Sequence, residues 1–418
     1  MEATYPEHES YKPSGYNWVG DVPAHWAVEK LGTSLRAVSE KNRPDLPLLS
    51  ITREKGVIER DLDDEESNHN FIPDDLSGYK VLRAGQFGMN KMKAWQGSYG
   101  VSQHTGIVSP AYFIFDFTKE IDPGFFNRAI RSKLYVSFFG SASDGVRIGQ
   151  WDLNKSRMRE IPLLVPPLPE QRAIAAFLDD KCAKIDGAVR IKEDQIALLR
   201  ERRQIIIQDA VTRGLNTAAP MKDSGIDWIG QIPAHWDVKS IRYAFRFRNY
   251  QRIPISASER EGKQGEYPYY GASGIIDYVQ DYIFDEDLIL IAEDGANLLS
   301  KSTPLAFVAT GKYWVNNHAH ILEPLFPGFK YWAELLSAAD YTVYISGSAQ
   351  PKLTRDRLAS VRVPVPPADE RSEIITFIDA ESEKFCSAIA IKERQIAALK
   401  EYKTSLINAA VTGKIKVI

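Results

Sequence analysis

Two long segments of the chain have apolar residues at alternating three- and four-residue spacing, which is the pattern of an amphipathic helix. They run from residue 169 to 213 and from residue 369 to 413. Pro169 suits the first turn of a helix, and Gly214 and Gly413 mark the two ends. Each predicted helix has about 44 residues and a length of roughly 65 Å. A helix this long with one apolar stripe needs a partner, so we predict that the two pack against each other in antiparallel orientation.

Outside these helices the pattern changes to short β-rich runs broken by Gly, Pro, Asn and Asp. We predict strands at Ala111–Phe117, Leu288–Ala292 and Leu305–Ala309. Phe125–Phe139 and Phe329–Val343 have a helical pattern. The chain is therefore expected to alternate between a mixed α/β globule and a long helix, twice over.

Parts of the sequence are repeated. Segments 12–28 and 222–238 are identical at about 10 of 17 positions, and segments 165–212 and 365–412 at about 21 of 48. The roughly 130 and 120 residues enclosed by these blocks show no visible similarity. We predict an α+β fold with an internal pseudo-twofold repeat, in which one scaffold is built twice around unlike contents. The predicted domains are globules at 1–160 and 216–360 and long helices at 161–215 and 361–418.

Composition indicates an ordinary water-soluble protein. Of the 418 residues, 44% are apolar and 26% charged, and no apolar run approaches the roughly 18 residues of a membrane span. The first ten residues lack the basic flank and apolar stretch of a secretory signal, so we expect a cytoplasmic location. Cys182 and Cys386 lie in the repeated helices, where we expect both to be small buried apolar residues.

Charge is unevenly distributed along the chain, although the net charge is only −3. Glu59–Asp75 is acidic, whereas Arg83–Glu160 has an excess of Lys and Arg. Lys239–Lys263 is basic, and Glu266–Asp294 contains acidic but no basic residues. Such separation predicts locally positive faces that could bind nucleic acid.

The sequence resembles the specificity subunits of type I restriction–modification systems over essentially its whole length. The resemblance is carried by the duplicated motif W-[VI]-G-x-[VI]-P-A-H-W at 18–26 and 228–236 and by the duplicated V-P-P before each long helix. Segments 269–274 (Y-Y-G-A-S-G), 291–296 (I-A-E-D-G-A) and 314–322 (W-V-N-N-H-A-H-I-L) add to it. It implies two target-recognition domains that each read half of a split double-stranded DNA target. It also implies helices that set the spacer and bind two methyltransferase subunits, with restriction/translocase subunits joining them.

Reading DNA requires amides, hydroxyls and basic groups for base edges, and Lys, Arg and backbone amides for phosphates. In the first globule the candidates of these types are Lys91, Lys93, Trp95, Gln96, Tyr99, Gln103, Arg147 and Gln150. In the second they are Tyr269, Tyr270, Ser273, Asn316, Asn317, Gln350 and Lys352. Arg147 and Gln150 are the first choices, because they precede the helix start much as Gln350 and Lys352 do in the second half.

No catalytic site, metal or cofactor is predicted. The sequence lacks the [ND]-P-P-[YF] turn of an amino-methyltransferase and a Walker A motif. We interpret His318 and His320 as strand residues, and Glu293-Asp294-Gly295 as a turn. The Trp-His-Trp residues of each repeated motif are interpreted as packing anchors. Two alternatives remain open, a two-domain protein-binding scaffold without DNA specificity and an enzyme with an unrecognised site.

Overall fold

The computed structural model describes residues 5–61, 73, 75–145, 151–347 and 350–418. The chain forms two compact units. The first contains the residues up to Lys192 together with Arg394–Ile418, and the second is Glu193–Glu393. The two long helices are Leu168–Arg213 and Ala368–Val411, close to their predicted limits. Each unit therefore combines one globule with part of both helices.

The first unit is organised around a four-stranded antiparallel sheet. Its strands, in spatial order, are Leu35–Val38, Phe113–Phe117, Phe87–Met89 and Tyr99–Val101. Smaller two-stranded pairs are Tyr11–Pro13 with Asp21–Pro23, Leu49–Thr52 with Gly56–Glu59, Lys80–Leu82 with Gly106–Val108, and Ser143–Asp144 with Asp152–Leu153. Its short helices are Leu31–Ser34, Ala94–Gln96 (3₁₀), Pro123–Ile130, Lys133–Ser141 and Lys155–Arg159.

The second unit has a central sheet of the same kind. Its strands, in spatial order, are Phe245–Phe247, Ala319–Pro324, Leu288–Ala292 and Ala306–Ala309. A second sheet contains Gly274–Val279, Gln264–Gly271, Lys312–Val315 and Phe284–Asp285, and Met221–Asp223 pairs with Gln231–Pro233. Its short helices are Ile241–Ala244, Asn249–Gln251 (3₁₀), Ala257–Glu261, Asn297–Ser300, Phe329–Ala338, Thr342–Tyr344 (3₁₀) and Arg355–Ser360.

The two globules thus share a strand order that their sequences do not reveal. All five residues of Leu288–Ala292 are buried, as expected for an inner strand covered on both faces. Burial of this kind requires apolar residues but no particular apolar residue, so the sheet persists where sequence identity does not. The predicted helix at 125–139 is instead two helices, because Ser132 has extended backbone angles and begins the second one.

Each globule is closed by the same strand pair, which brings the start and the end of the globule together. Ala27–Lys30 pairs with Pro162–Val165, and Asp237–Ser240 pairs with Arg362–Val365. Next to these pairs, the backbone amide of residue 31 donates to the carbonyl of residue 161, and that of residue 241 to the carbonyl of residue 361, both at 2.8 Å. The repeated blocks of the sequence therefore form a frame around each globule.

Within each unit the long helices pack antiparallel, as predicted. In the first unit, Lys192 contacts Gln395 and Asp186 contacts Lys403 further along the partner helix. In the second unit, Arg203 donates a hydrogen bond to the hydroxyl of Ser382 on the other helix. Apolar positions of the stripe are buried, including Leu178 in the first unit and Ile378 in the second. Packing of this apolar stripe supplies most of the stability of such helices.

The two cysteines differ in exposure. Cys182 is buried, but Cys386 is exposed, because its position on the second long helix lies off the buried stripe. The expectation that both cysteines are buried is therefore wrong for Cys386. Among the described residues, no helix combines the length and the apolar character needed to cross a membrane.

Candidate nucleic-acid interface

In each unit the repeated Ala-His-Trp sequence binds the start of a long helix. In the first unit, His25 Nε2 lies 2.8 Å from Glu170 Oε2, and Trp26 Nε1 donates to Glu170 Oε1 at 3.1 Å. Glu170 occupies the first turn of the helix, where the helix dipole favours a negative charge. The fully buried Trp26 also lies under the end of the second long helix, since a Cβ on Gly413 would be 3.3 Å from its ring.

The second unit repeats this clamp. His235 Nε2 contacts Glu370 Oε1, and Trp236 Nε1 donates to Glu370 Oε2 at 2.8 Å. Trp236 is fully buried, and a Cβ on Gly214 would lie 3.0 Å from its ring. In each unit one tryptophan therefore joins the beginning of one long helix to the end of the other.

In each unit, the loop that follows an inner strand of the central sheet contacts a segment that precedes the long helix. In the first unit, the backbone amide of Leu153 donates to the carbonyl of Lys91 at 3.0 Å, and Lys91 Nζ lies 3.0 Å from Asp152 Oδ2. The rings of Trp95 and Trp151 are 5.1 Å apart. We call residues 91–96 and 151–153 the first recognition loops.

The second unit has the same arrangement with the charges exchanged. The backbone amide of Leu353 donates to the carbonyl of Glu293 at 2.8 Å, as Leu153 does to Lys91. Here the inner-strand loop supplies the acid, and Glu293 Oε1 lies 3.4 Å from Lys352 Nζ. Backbone bonds also join residue 295 to residue 351 and residue 346 to residue 352. We call residues 293–295 and 350–353 the second recognition loops.

A network of buried and partly buried groups supports the second recognition loops. Arg252 donates to Glu293 Oε2 at 2.6 Å and to the carbonyl of Asn317 at 3.2 Å. Burial raises the pKa of the Glu293 carboxyl, but the bond from Arg252 and the surrounding positive charge outweigh it, so that pKa lies below its ordinary value. Glu293 is therefore ionised at neutral pH.

His320 belongs to the same network as a neutral residue. Burial lowers the pKa of His320, and both ring nitrogens have protein partners. Nε2 lies 2.7 Å from the carbonyl of Leu353, and Nδ1 lies 2.8 Å from Asn249 Nδ2. These bonds fit one tautomer, with the proton on Nε2. The geometry makes His320 a support for the loop.

The basic run at Lys239–Lys263 does not form the simple positive face that we expected. Four of its arginines are paired with acidic residues, three of which come from the neighbouring acidic run. The pairs are Arg246–Glu323 (3.2 Å), Arg248–Glu323 (2.8 Å), Arg248–Glu286 (3.0 Å), Arg252–Glu293 (2.6 Å) and Arg260–Asp277 (2.9 Å). The prediction of a positive face from this run is therefore wrong, because the opposite charges fold onto one another.

The structure brings several of the first-globule candidates together. Lys91, Lys93, Trp95 and Gln96 lie in or beside the first recognition loops, and Lys93 is exposed. Gln103 is exposed in the turn between two strands. Arg147 and Gln150 lie outside the described residues, next to Trp151 in the sequence.

Tyr99 is a correction to the candidate list. Its side chain is 0% exposed in the core, between the rings of Phe87 and Phe139, and burial raises its pKa. A turn that ends at Gly97, with φ +93°, carries the chain from the surface into the central sheet. Tyr99 therefore packs the sheet and cannot reach a ligand at the surface.

The second-globule candidates are also partly exposed and partly buried. Ser273, Asn317, Gln350 and Lys352 are exposed, the last two in the second recognition loops. Tyr270 is half-buried against Phe307 and Tyr313.

Two of the second-globule candidates are buried and are also corrections. Tyr269 is 1% exposed, and its hydroxyl bonds the backbone of Ile255. Asn316 is 5% exposed, and its side-chain oxygen accepts from the backbone amide of His318. Both residues shape the surface from below.

Comparison with known proteins finds similarity to specificity subunits of type I restriction systems. The family profile described as the type I restriction modification DNA specificity domain matches residues 233–401. A putative type I restriction enzyme specificity subunit of Haemophilus influenzae is 36% identical over 135 residues, which are 32% of this chain and 34% of that relative. The putative MjaX specificity subunit of Methanocaldococcus jannaschii is 21% identical over 96% of both chains. Residues 233–401 thus match a type I DNA specificity domain, and the chain is similar to type I restriction enzyme specificity subunits over 96% of its length.

Solved structures show that the similarity extends to the fold. A chain from a structure describing assembly and conformational transition of a type I system has a TM-score of 0.66, at 14% identity over 93% of this chain and 98% of that one. The HsdS subunit of Thermoanaerobacter tengcongensis has a TM-score of 0.51, at 15% identity over 94% and 98%. The fold of a specificity subunit is thus retained at very low sequence identity.

Sequence reasoning missed the residues that organise both sites. Glu170 and Glu370 were not singled out as site residues in the sequence, although each is the shared partner of a histidine and a tryptophan. Their repetition at the same offset as the V-P-P motif was an available signal. No comparable signal marked Arg252, whose partners come from distant parts of the chain.

Proposed function

We propose that this chain is the DNA-specificity subunit of a type I restriction–modification complex, with each globule reading one half of a bipartite double-stranded target. The long helices set the spacer between the halves and bind methyltransferase subunits, two per chain, which restriction/translocase subunits then join. The chain has no catalytic activity by itself and acts in the cytoplasm. The matching DNA specificity domain, the similarity to specificity subunits and the duplicated frame around unlike globules support this proposal.

The observation that carries the proposal is the pair of equivalent loops. The same backbone bond, from residue 153 to residue 91 and from residue 353 to residue 293, presents a loop at the same place in each globule. The side chains of these loops differ, down to the exchange of Lys91–Asp152 for Glu293–Lys352. A common backbone with different polar side chains suits two readers of different base sequences.

The deciding experiment is methylome sequencing of cells that express this chain with its methyltransferase subunit. We expect one bipartite motif with two unlike halves and a fixed spacer. A protein-binding scaffold without DNA specificity would leave no such motif. A single uninterrupted motif would contradict the assignment of one half-site to each globule.

Gln150 and Gln350 stand at matching positions in the sequence, before the two long helices, and we expect both to read bases. Gln150→Ala and Gln350→Ala should each relax base choice in a different half-site, because a bidentate amide contact contributes about 1–3 kcal/mol of discrimination. If Arg147 contacts a guanine, Arg147→Ala should relax base choice at one position of the half-site. If Arg147 contacts a phosphate, the substitution should instead weaken binding to all sequences and lower its salt dependence. Binding to libraries of half-site variants at fixed salt measures both effects.

Gln204→Ala is the matched control, because Gln204 is an exposed glutamine on a long helix. It should leave both half-sites unchanged. If the variants at 147, 150 and 350 all behave like this control, these three residues do not read DNA, while the similarity to specificity subunits stands.

The first long helix also carries an exposed apolar face that suits a protein partner. Leu198 is 63% and Ile205 51% exposed, and their seven-residue spacing places them on one side of the helix. Ile391 on the second long helix is 45% exposed in the same unit. Exposed apolar residues at regular spacing are typical of helix-binding interfaces.

The double variant Leu198→Glu/Ile205→Glu should release the methyltransferase subunit. Burying such side chains in an interface contributes about 1.5–3 kcal/mol each, so binding should weaken by at least about 100-fold. The change in thermal stability of the isolated chain should be small, because both positions are exposed. Gln204→Glu adds a charge to another face of the helix and should leave co-purification intact; equal losses in both would contradict this docking face.

A further inference from the structure

One copy of the repeated clamp contains an additional histidine. His8 lies beside His25 in the first unit, with their ring centroids 5.4 Å apart, and its Nε2 is 3.8 Å from Glu170 Oε1. One ligand atom from each of His8, His25 and Glu170 falls within 4.8 Å of the others. At the corresponding position in the second unit the residue is Ala218, so the clamp there has only His235 and Glu370.

The His8 ring is buried and directed into this cluster. Its side chain is 5% exposed, and that of Glu170 is 8% exposed. His8 Nε2 is buried and has no hydrogen-bond partner among the described residues. A buried polar atom without a partner costs about 1–3 kcal/mol, which a bound ligand would remove.

We propose that His8 Nε2, His25 Nε2 and a carboxylate oxygen of Glu170 bind a divalent transition-metal ion of the zinc type. Imidazole nitrogens and a carboxylate oxygen are ordinary ligands of Zn²⁺, at about 2.0–2.2 Å. Tetrahedral coordination at these lengths puts ligand atoms about 3.4 Å apart. The pair His25–Glu170, now at 2.8 Å, would open slightly, and His8 would move closer.

The surroundings of the cluster fit this assignment. The His25 side chain is 48% exposed, which gives the ion a path from solvent and leaves room for a water ligand. Trp26 Nε1 donates to Glu170 and fixes the orientation of the carboxylate, as outer-shell partners of metal ligands do. The positive end of the helix disfavours a cation. We therefore expect weaker binding than at four-ligand structural zinc sites.

The function of this site would be to fasten the N-terminal segment to the start of the first long helix. His8 is in the segment before the first strand, whereas Glu170 is 162 positions further along, in the first turn of the helix. A metal that bridges them adds a cross-link that the second unit does not need, because its corresponding segment continues directly from the first long helix. The proposal does not depend on DNA recognition.

The test uses the untagged full-length chain, freed of metal by a chelator and titrated with Zn²⁺ or Co²⁺ alone. The wild type should bind one ion per chain, raise its thermal midpoint with Zn²⁺ and show visible Co²⁺ absorption bands. His8→Ala and His25→Ala should each weaken binding by at least about 10–100-fold, the loss that even outer-shell changes cause. His235→Ala, the matched change in the two-ligand clamp, should retain full binding.

The outcomes separate cleanly. The absence of stoichiometric binding by the wild type would overturn the proposal, as would full binding by a folded His8→Ala variant or an equal loss in His235→Ala. Circular dichroism reports whether each variant is folded. If His8→Ala does not fold, His25→Ala decides the question, because its half-exposed ring can be removed with little effect on packing.

Discussion

Trp236→Ala should lower the free energy of unfolding of the second unit by about 3–5 kcal/mol, the range for removing a large aromatic side chain from a core. Trp236 is fully buried, and its Nε1 is bonded to Glu370. Its loss leaves a cavity at the point where the start of one long helix meets the end of the other. Hydrogen exchange along a urea series, read from peptides of residues 193–393, measures the effect in this unit.

Two matched variants separate the contributions of packing and hydrogen bonding. Trp236→Phe keeps most of the ring volume but removes the donor to Glu370, so we expect a smaller loss, of about 1–2 kcal/mol. Tyr250→Ala removes an aromatic side chain that is 77% exposed and should change stability by less than about 0.5 kcal/mol. A Trp236→Ala variant no less stable than Tyr250→Ala would show that the clamp does not hold the helices.

The long helices were predictable because their pattern is local and repeated. Three- and four-residue spacing over about 44 residues fixes both the helix and its buried face. Because the apolar stripe occurs twice, we could predict that the two helices pack on each other. The structure confirms antiparallel packing within each unit. The pattern did not correctly predict the exposure of every position, since Cys386 was expected to be buried and is exposed.

The interior of the globules was much less predictable. Strand pairing there joins distant segments, such as Leu35–Val38 with Phe113–Phe117, and a short apolar run does not identify its partner. Tyr99 and Tyr269 had the residue type of a reading surface, yet each begins or continues a strand that enters a core. The charge runs were misinterpreted for the same reason, because sequence separation does not show that Arg252 folds against Glu293.

Transplanting the second globule into the first frame should give a protein whose two half-sites are the same. The exchange replaces residues 31–161 with residues 241–361, whose flanking strands and closing backbone bonds match those of the recipient. If each globule reads one half-site through its own loops, base choice travels with the globule. The half-site of the unaltered second globule should remain, and the other should become a copy of it.

The helix contacts show how to make the chimera fit. Arg128 pairs with Asp179 in the first unit at 2.6 Å, and Lys330 pairs with Asp379 in the second. In the chimera, Lys330 would therefore lie next to Asp179 and could form the same kind of ion pair. The bond at position 171 differs from the one at position 371. Gln171 accepts from the backbone of residue 122, whereas Arg371 donates to the carbonyl of residue 327 at 3.0 Å. The transplant should therefore include Gln171→Arg.

Methylome sequencing with the methyltransferase subunit reads the result directly. Each mismatched base pair costs about 1–3 kcal/mol, so a changed half-site of several bases should remove methylation at the original target and create it at the new one. The reciprocal transplant, with residues 31–161 in the second frame and Arg371→Gln, should duplicate the other half-site. A folded chimera that still methylates the original target would mean that choice of the exchanged half-site resides in the frame, because the globule assigned to that half-site is absent from the chimera.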